Sequence, residues 1–243
     1  MTGWQAIIFD LDDTLYPECD FVLGGFRAAA KWGEANLGIP STLGFQELKI
    51  LYERGARGDT FDRWLAEHAI QLPGVTERLV TVYRNHEPIL APYPGIRDLL
   101  NWLRPRTKLG LLSDGPIAVQ QRKLTALGLI PFFSSIVFSD EWGRQAWKPN
   151  EVPYRESLKR LEVSGDRALY VADNPRKDFI GARLVGMSTL WFHTSSGVYS
   201  RETPPTSAHQ SEREVHSVAE MQVYFSQAFL ASTPGRLLHN DSV

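Results

Sequence analysis

Short apolar runs and longer stretches of helical periodicity divide the chain into two kinds of segment. Ala6-Ile7-Ile8-Phe9 is an unbroken apolar run, the pattern of a strand covered on both faces within a parallel sheet. From about Phe21 to Leu37 the pattern changes: Val22, Phe26, Ala29, Ala30 and Trp32 recur at helical intervals, and Gly38-Ile39-Pro40 ends the run. Further helical stretches cover about 43–52, 61–69 and 75–86, and no strand pattern occurs between Cys19 and Ala91. This all-helical block interrupts an otherwise mixed chain and reads as an inserted domain.

Pro92-Tyr93-Pro94-Gly95 marks the return to the mixed pattern. Helices near 96–103, 117–127, 152–161 and 177–185 then alternate with strands at 108–112, 135–138, 168–172 and 189–192. Such alternation predicts an α/β fold: a doubly wound parallel sheet, Rossmann-like, carrying an inserted helical domain. The boundaries follow as 1–17 and 92–230 for the core, 18–91 for the insertion and 231–243 for a tail. The stretch from 195 to 213, rich in Ser, Thr, Pro and charge, is expected to be a loop, Val215 to Leu230 a closing helix, and Ser232 to Val243 a weakly ordered end. There are no internal repeats.

In sheets of this kind ligands bind beyond the carboxyl ends of the strands. The polar clusters stand at those ends: Asp10 and Asp12 after the first strand, Ser113 and Asp114 after the second, and Asp173 after the one at 168–172. Residues more than a hundred positions apart are therefore expected to meet at one edge. Asp10, Asp12 and Asp13 have no basic residue beside them in sequence, so their mutual repulsion calls for a cation. Mg2+, a hard ion that takes carboxylate and phosphate oxygens, is the natural one. Ser113 precedes Gly115-Pro116, where Gly permits close backbone approach and Pro suits the first position of a helix; with the amides of Asp114 and Gly115 it forms an anion site. Asn174-Pro175 is a helix start, which puts Asp178 in a first helical turn.

Size, charge and rare residues narrow the function. The 243 residues, 43 % of them hydrophobic, suffice for a large core with an insertion. A net charge of -2 gives no reason to expect nucleic acid, and Arg104, Arg106 and Lys108 read as a solvated turn. Cys19 is the only cysteine, which excludes an intrachain disulfide and a cysteine metal site. No apolar run approaches the ~18 residues that span a bilayer, and the amino terminus lacks the pattern of a secretory signal, so a soluble cytoplasmic protein with no membrane partner is expected. The six histidines form no HExxH and no close pair in sequence, and zinc is not expected.

DLDDTL at 10–15, LLSDG at 111–115, Lys148-Pro149 and VADNPRKDF at 171–179 resemble, in order, the four motifs of the haloacid dehalogenase-like hydrolase superfamily. The similarity covers roughly residues 5–195, and the helical insertion resembles the small cap that the superfamily places after its nucleophile. By that resemblance Asp10 is the nucleophile that forms an aspartyl-phosphate. Asp12 protonates the leaving oxygen and then activates water, and its backbone carbonyl also binds the metal. Lys148 neutralises nucleophile and phosphate, while Ser113 and the amides of Asp114 and Gly115 hold the phosphoryl group. The metal set is Asp10, Asp12, Asp173 and Asp178, with Asp173 the direct ligand and Asp178 behind it or joined through water, two roles open to exchange. Many relatives have Asn where Asp114 stands; its carboxylate has no assigned catalytic role, and a helix cap is as good a reading.

The resemblance thus implies a Mg2+-dependent phosphatase acting on a small phosphorylated metabolite, with oligomeric state open. A phosphomutase could use the same Asp10 and Asp12, and a non-catalytic phosphate-binding or regulatory protein could keep the fold. Tyr16, Phe21, Arg27, Arg54, Arg57 and Arg63 are the substrate-contact candidates of the cap and its crossing segments; Tyr16-Pro17 and residues 92–95 are the two crossings.

Overall fold

The structure is a computed structural model that describes residues 3–195 and 197–231, so the tail expected at 232–243 lies outside the described residues. The chain falls into two compact units.

The first unit takes residues up to 16, 92–115 and from 129 on. Among the described residues it contains six strands, β1 Ala6–Phe9, β2 Lys108–Ser113, β3 Ser135–Phe138, β4 Ala168–Ala172, β5 Ser188–Phe192 and β6 Arg213–Val215, hydrogen-bonded in the order β3-β2-β1-β4-β5-β6. Every pairing is parallel. The central strand β1 is wholly buried, which is why it reads as continuous apolar sequence rather than as an alternation. Its side chains still divide between two faces. Ile8 packs with Tyr154, Leu158, Tyr170 and Phe179, whereas the Phe9 ring meets Phe225 edge-on at 6.5 Å. The helices α5 Ile96–Leu103, α7 Glu151–Leu161, α8 Asp178–Leu184 and α9 Val218–Ala231 therefore serve both sides of the sheet. This is the doubly wound α/β architecture that the alternating pattern predicts.

One strand escapes that pattern. β6 falls where a loop running into the closing helix is expected: Val215 ends the strand, and α9 begins three residues later. Of its three residues only Val215 is buried, so the segment has no hydrophobic period to read; it becomes a strand because the exposed edge of β5 offers unpaired backbone groups.

The second unit takes residues 17–91 and 116–128. It is entirely helical among the described residues: α1 Glu18–Leu37, α2 Ser41–Glu53, α3 Thr60–Glu67, α4 Val75–Asn85 and α6 Ile117–Leu127. Trp64 is fully buried at its centre and donates its indole N–H to Glu47 at 2.8 Å. α6 joins it through Arg122, which donates to the Arg84 carbonyl at 2.6 Å, and through Lys123, whose ammonium lies 4.5 Å from the centre of the Phe21 ring. None of the described helices is long and apolar enough to cross a membrane.

A close approach in the first unit positions α8. A Cβ added at Gly181 would lie 2.5 Å from the Pro149 carbonyl oxygen and 2.5 Å from the Tyr154 ring. Gly181→Ala is expected to push α8 off this backbone and lower stability by about 1–3 kcal/mol, the usual cost of overpacking, as read by denaturant unfolding. An unchanged midpoint would show that the contact is soft.

Candidate active site

The parallel register aligns the strand ends. Phe9 is level with Leu111 of β2 and Val171 of β4, and the Asp10 amide continues the ladder by donating to the Val171 carbonyl at 2.9 Å. Asp10 follows β1, Ser113 ends β2 and Asp173 follows β4, so three neighbouring strands deliver polar side chains to one edge. Lys148 reaches the same place from the loop after β3. Its side chain is fully buried, and Nζ donates to Asp10 Oδ1 at 2.6 Å and to the Tyr170 hydroxyl at 2.9 Å. Nζ also lies 2.7 Å from Asp178 Oδ1, an ion-pair contact outside hydrogen-bonding angle. Asp178 is completely buried; its Oδ2 accepts from the Asn174 amide at 3.0 Å.

Asp10, Asp173 and Asp178 each offer an oxygen within 4.8 Å of the others. Three buried carboxylates around one lysine leave an excess of negative charge. Burial pushes the Asp10 carboxyl up to about 7 despite the opposing pull of Lys148, with Asp178 adding to the rise. Burial, then Asp178 and Asp10, hold Asp173 well above the carboxylate range. Lys148 responds in the opposite sense: burial alone would lower it, but Asp10 and Asp178 outweigh that and raise it well above the usual lysine value. A hard divalent cation fits this donor set, because the set is all oxygen and carries more negative charge than Lys148 offsets.

Beside the carboxylates lies an orphaned donor. Ser113 Oγ is buried and has no hydrogen-bond partner within the protein, a costly state that a bound anion would relieve. Gly115 follows at φ 122°, a backbone conformation that side chains rarely adopt. Asp114 is neither free charge nor a helix cap. Its Oδ2 accepts from Lys177 Nζ at 2.7 Å, its Oδ1 accepts from Ser139 Oγ at 2.7 Å and from the Lys148 amide at 3.1 Å, and α6 has no side-chain cap. Burial works to raise the Asp114 carboxyl, but Lys148 and Lys177 overcome it and hold the group below its ordinary value. The second carboxylate is thereby paired.

Asp12 stands apart from the three-carboxylate cluster; its Oδ1 accepts from the Tyr16 hydroxyl at 2.5 Å. Asp13, at φ 48°, accepts from the Val198 amide at 2.8 Å and so belongs to loop structure. Thr14 Oγ1, in the loop that follows Asp10, is likewise buried without a hydrogen-bond partner.

The haloacid dehalogenase-like hydrolase profile matches residues 7–192, a span that contains all of these side chains. The chain belongs to this family. Among relatives of these hydrolases, a glyceraldehyde 3-phosphate phosphatase of Methanocaldococcus jannaschii is 32% identical over 76% of this chain and 83% of its own length. A pyrimidine 5'-nucleotidase of Escherichia coli is 26% identical over 83% of this chain and 89% of its own. A solved haloacid dehalogenase-like hydrolase of Bacillus subtilis, bound to magnesium, superposes with a TM-score of 0.67 at 20% identity, covering 92% of this chain and 99% of that one, which shows the shared fold.

Three residues of the candidate site have no role in the sequence reading. Tyr170 carries the clearest signal, a hydroxyl in the middle of the buried strand ALYVA that needs a partner and finds it in Lys148. Lys177 sits next to Asp178 in sequence but serves Asp114, and Ser139 follows β3 with nothing to distinguish it from a turn serine.

Proposed function

We propose that the protein is a Mg2+-dependent phosphatase that hydrolyses a small phosphorylated metabolite through an aspartyl-phosphate on Asp10. The observation that carries this reading is the buried Lys148 ammonium bonded to Asp10 and in contact with Asp178, with Asp173 in reach and the unpartnered Ser113 hydroxyl at the neighbouring strand end. The relatives support it, since their names specify different organic groups but a common phosphate ester.

Asp10, anchored through one oxygen by Lys148, attacks phosphorus in line with the ester oxygen, which leaves with a proton from Asp12. The Tyr16 hydroxyl bonded to Asp12 Oδ1 holds that carboxyl in one orientation and directs its other oxygen to the transfer. Asp12 then takes a proton from water, whose oxygen attacks the aspartyl-phosphate; inorganic phosphate departs and Asp10 is restored. Ser113 Oγ and the amides of Asp114 and Gly115 donate to phosphoryl oxygens, while Lys148 offsets their charge. Mg2+ bound by Asp10, the Asp12 carbonyl and Asp173 would stabilise the negative charge of the transferring group. Asp178 supports from behind, because both of its oxygens already face partners, Lys148 and the Asn174 amide.

The helical unit acts as the cap that chooses the rest of the substrate. It contains a cavity of about 250 Å3 whose lining includes Glu18, Tyr52, Arg57 and Arg84. Of the arginine contact candidates Arg57 is the one that lines this cavity, held there by the Tyr52 ring and by the Tyr52 and Ala56 carbonyls. An activity on metabolite phosphates goes with the cytoplasmic location expected from the sequence.

A panel of phosphorylated sugars, nucleotides and acids, assayed with Mg2+ for free phosphate, tests the reading. Isomerised sugar phosphate in place of free phosphate would make the protein a phosphomutase, and no turnover of any member would leave only binding. A chelator is expected to stop phosphate release and added Mg2+ to restore it; hydrolysis that persists in the chelator would remove the metal from the mechanism.

A further inference from the structure

We infer that His193, Glu214 and His216 form a second metal site, for a divalent ion of the zinc class, at the ends of β5 and β6. The two histidines are 23 residues apart and no sequence motif joins them. Parallel pairing does: Phe192 is level with Val215, so each histidine is the first residue beyond its strand, and the His193 amide donates to the Val215 carbonyl at 2.9 Å. Glu214 and His216, two apart in extended chain, share a face. The three side chains each offer a ligand atom within 4.8 Å of the others.

The His193 ring is held as a ligand would be. It stacks on Trp191 at 4.1 Å with 7° between the planes, and Trp191 is itself fixed by donating to the Asp173 carbonyl at 2.7 Å. His193 Nε2 lies 2.8 Å from the Ser200 carbonyl, which only accepts, so Nε2 carries a proton. That leaves Nδ1 aimed at Glu214 Oε1, 2.5 Å away and also an acceptor. At that separation a proton lies between them, and a cation would take its place as the two atoms part. A backbone carbonyl on the far nitrogen, which sets the tautomer and the ring angle, is the usual support of a metal-bound histidine. His216 completes the set: its Nδ1 is 3.8 Å from the same Glu214 oxygen and donates to the His193 carbonyl at 3.1 Å, a bond that this exposed ring gives up when Nδ1 binds a metal.

Two imidazoles, one carboxylate and an open position match zinc coordination, in which ligand atoms of a tetrahedron stand about 3.3 Å apart: the His193 and Glu214 atoms, now 2.5 Å apart, open to that spacing, and His216, at 3.8 Å, closes to it. The nitrogen donors set this site apart from the all-oxygen cluster of Asp10, Asp173 and Asp178. Uptake exchanges the proton on Nδ1 for the metal. The bound ion would tie the short edge strand β6 to β5 and, through Ser200, to the loop whose Val198 amide is bonded to Asp13.

The test uses the full chain without a polyhistidine tag, saturated with Mg2+. One equivalent of Cu2+ is expected to give an electron paramagnetic resonance spectrum with nitrogen coupling, and Zn2+ to be drawn from a chromogenic chelator at one equivalent. In His216→Gln and Glu214→Gln, whose side chains are solvent-facing, Zn2+ affinity is expected to fall at least tenfold and the nitrogen coupling to weaken, with Mg2+-dependent phosphate release retained. Equal Zn2+ affinity in these variants, or nitrogen coupling undiminished in His216→Gln, would overturn the site. Failure of the phosphatase reading leaves this result untouched, because the readouts do not require turnover.

Discussion

Asp10→Asn is expected to lower kcat for an aryl phosphate by about 10^4-fold or more, the scale of loss when a nucleophile that acts as part of a unit is removed. The amide keeps the shape of the carboxylate but lacks the anionic oxygen that attacks phosphorus to form the acyl phosphate. The fold should persist. Lys148 retains Asp178 at 2.7 Å, and the substitution takes one negative charge out of a cluster that has too many. Unfolding by denaturant is therefore expected to change by no more than about 1 kcal/mol, the ordinary range for a single substitution that opens no cavity. Phosphate release at the wild-type rate by the folded variant would show that the nucleophile is elsewhere.

Lys148→Met is expected to damage stability as well as activity. The side chain of Lys148 is completely buried, as is that of Asp178, and Asp10 is nearly so. Methionine fills similar volume yet leaves both carboxylates without their cation, a change that costs about 3–5 kcal/mol when one partner of a buried pair is removed. The Tyr170 hydroxyl loses its donor at the same time. Because the defect is uncompensated negative charge, Mg2+ should restore part of the lost stability, and should raise the midpoint of Lys148→Met more than that of the wild type. Turnover is not recovered, since the charge on the phosphoryl group is no longer offset from that side. Equal stabilisation of the two proteins by Mg2+ would separate Lys148 from the metal cluster.

The two substitutions test different properties of the site. Asp10→Asn tests chemistry at one atom, while Lys148→Met tests whether the charges form a single electrostatic unit. Their distinct signatures follow from burial: an exposed Lys-Asp pair would contribute too little for its loss to be felt.

Much of this protein is legible before folding. The buried parallel strands have no solvent-facing positions, so β1, β3 and β4 stand out as short apolar runs, and acids directly after such runs must emerge at one edge of the sheet. The periodic apolar faces of α1 to α4 likewise mark the helical insertion, because a helix that packs on one side repeats near every fourth residue. Local chemistry therefore sufficed for the strand ends carrying Asp10, Ser113 and Asp173, while the class of reaction came from the resemblance of four ordered motifs to a known family. What depends on contacts between distant segments is invisible in one dimension. Neither the pairing of Asp114 with Lys177, nor the Tyr170 hydroxyl beneath Lys148, nor the edge strand β6 has a local signature. His193 and His216 meet only because β6 adds to the sheet in parallel register, a choice made by backbone hydrogen bonds that are the same for every residue type and so leave no trace in the order of side chains.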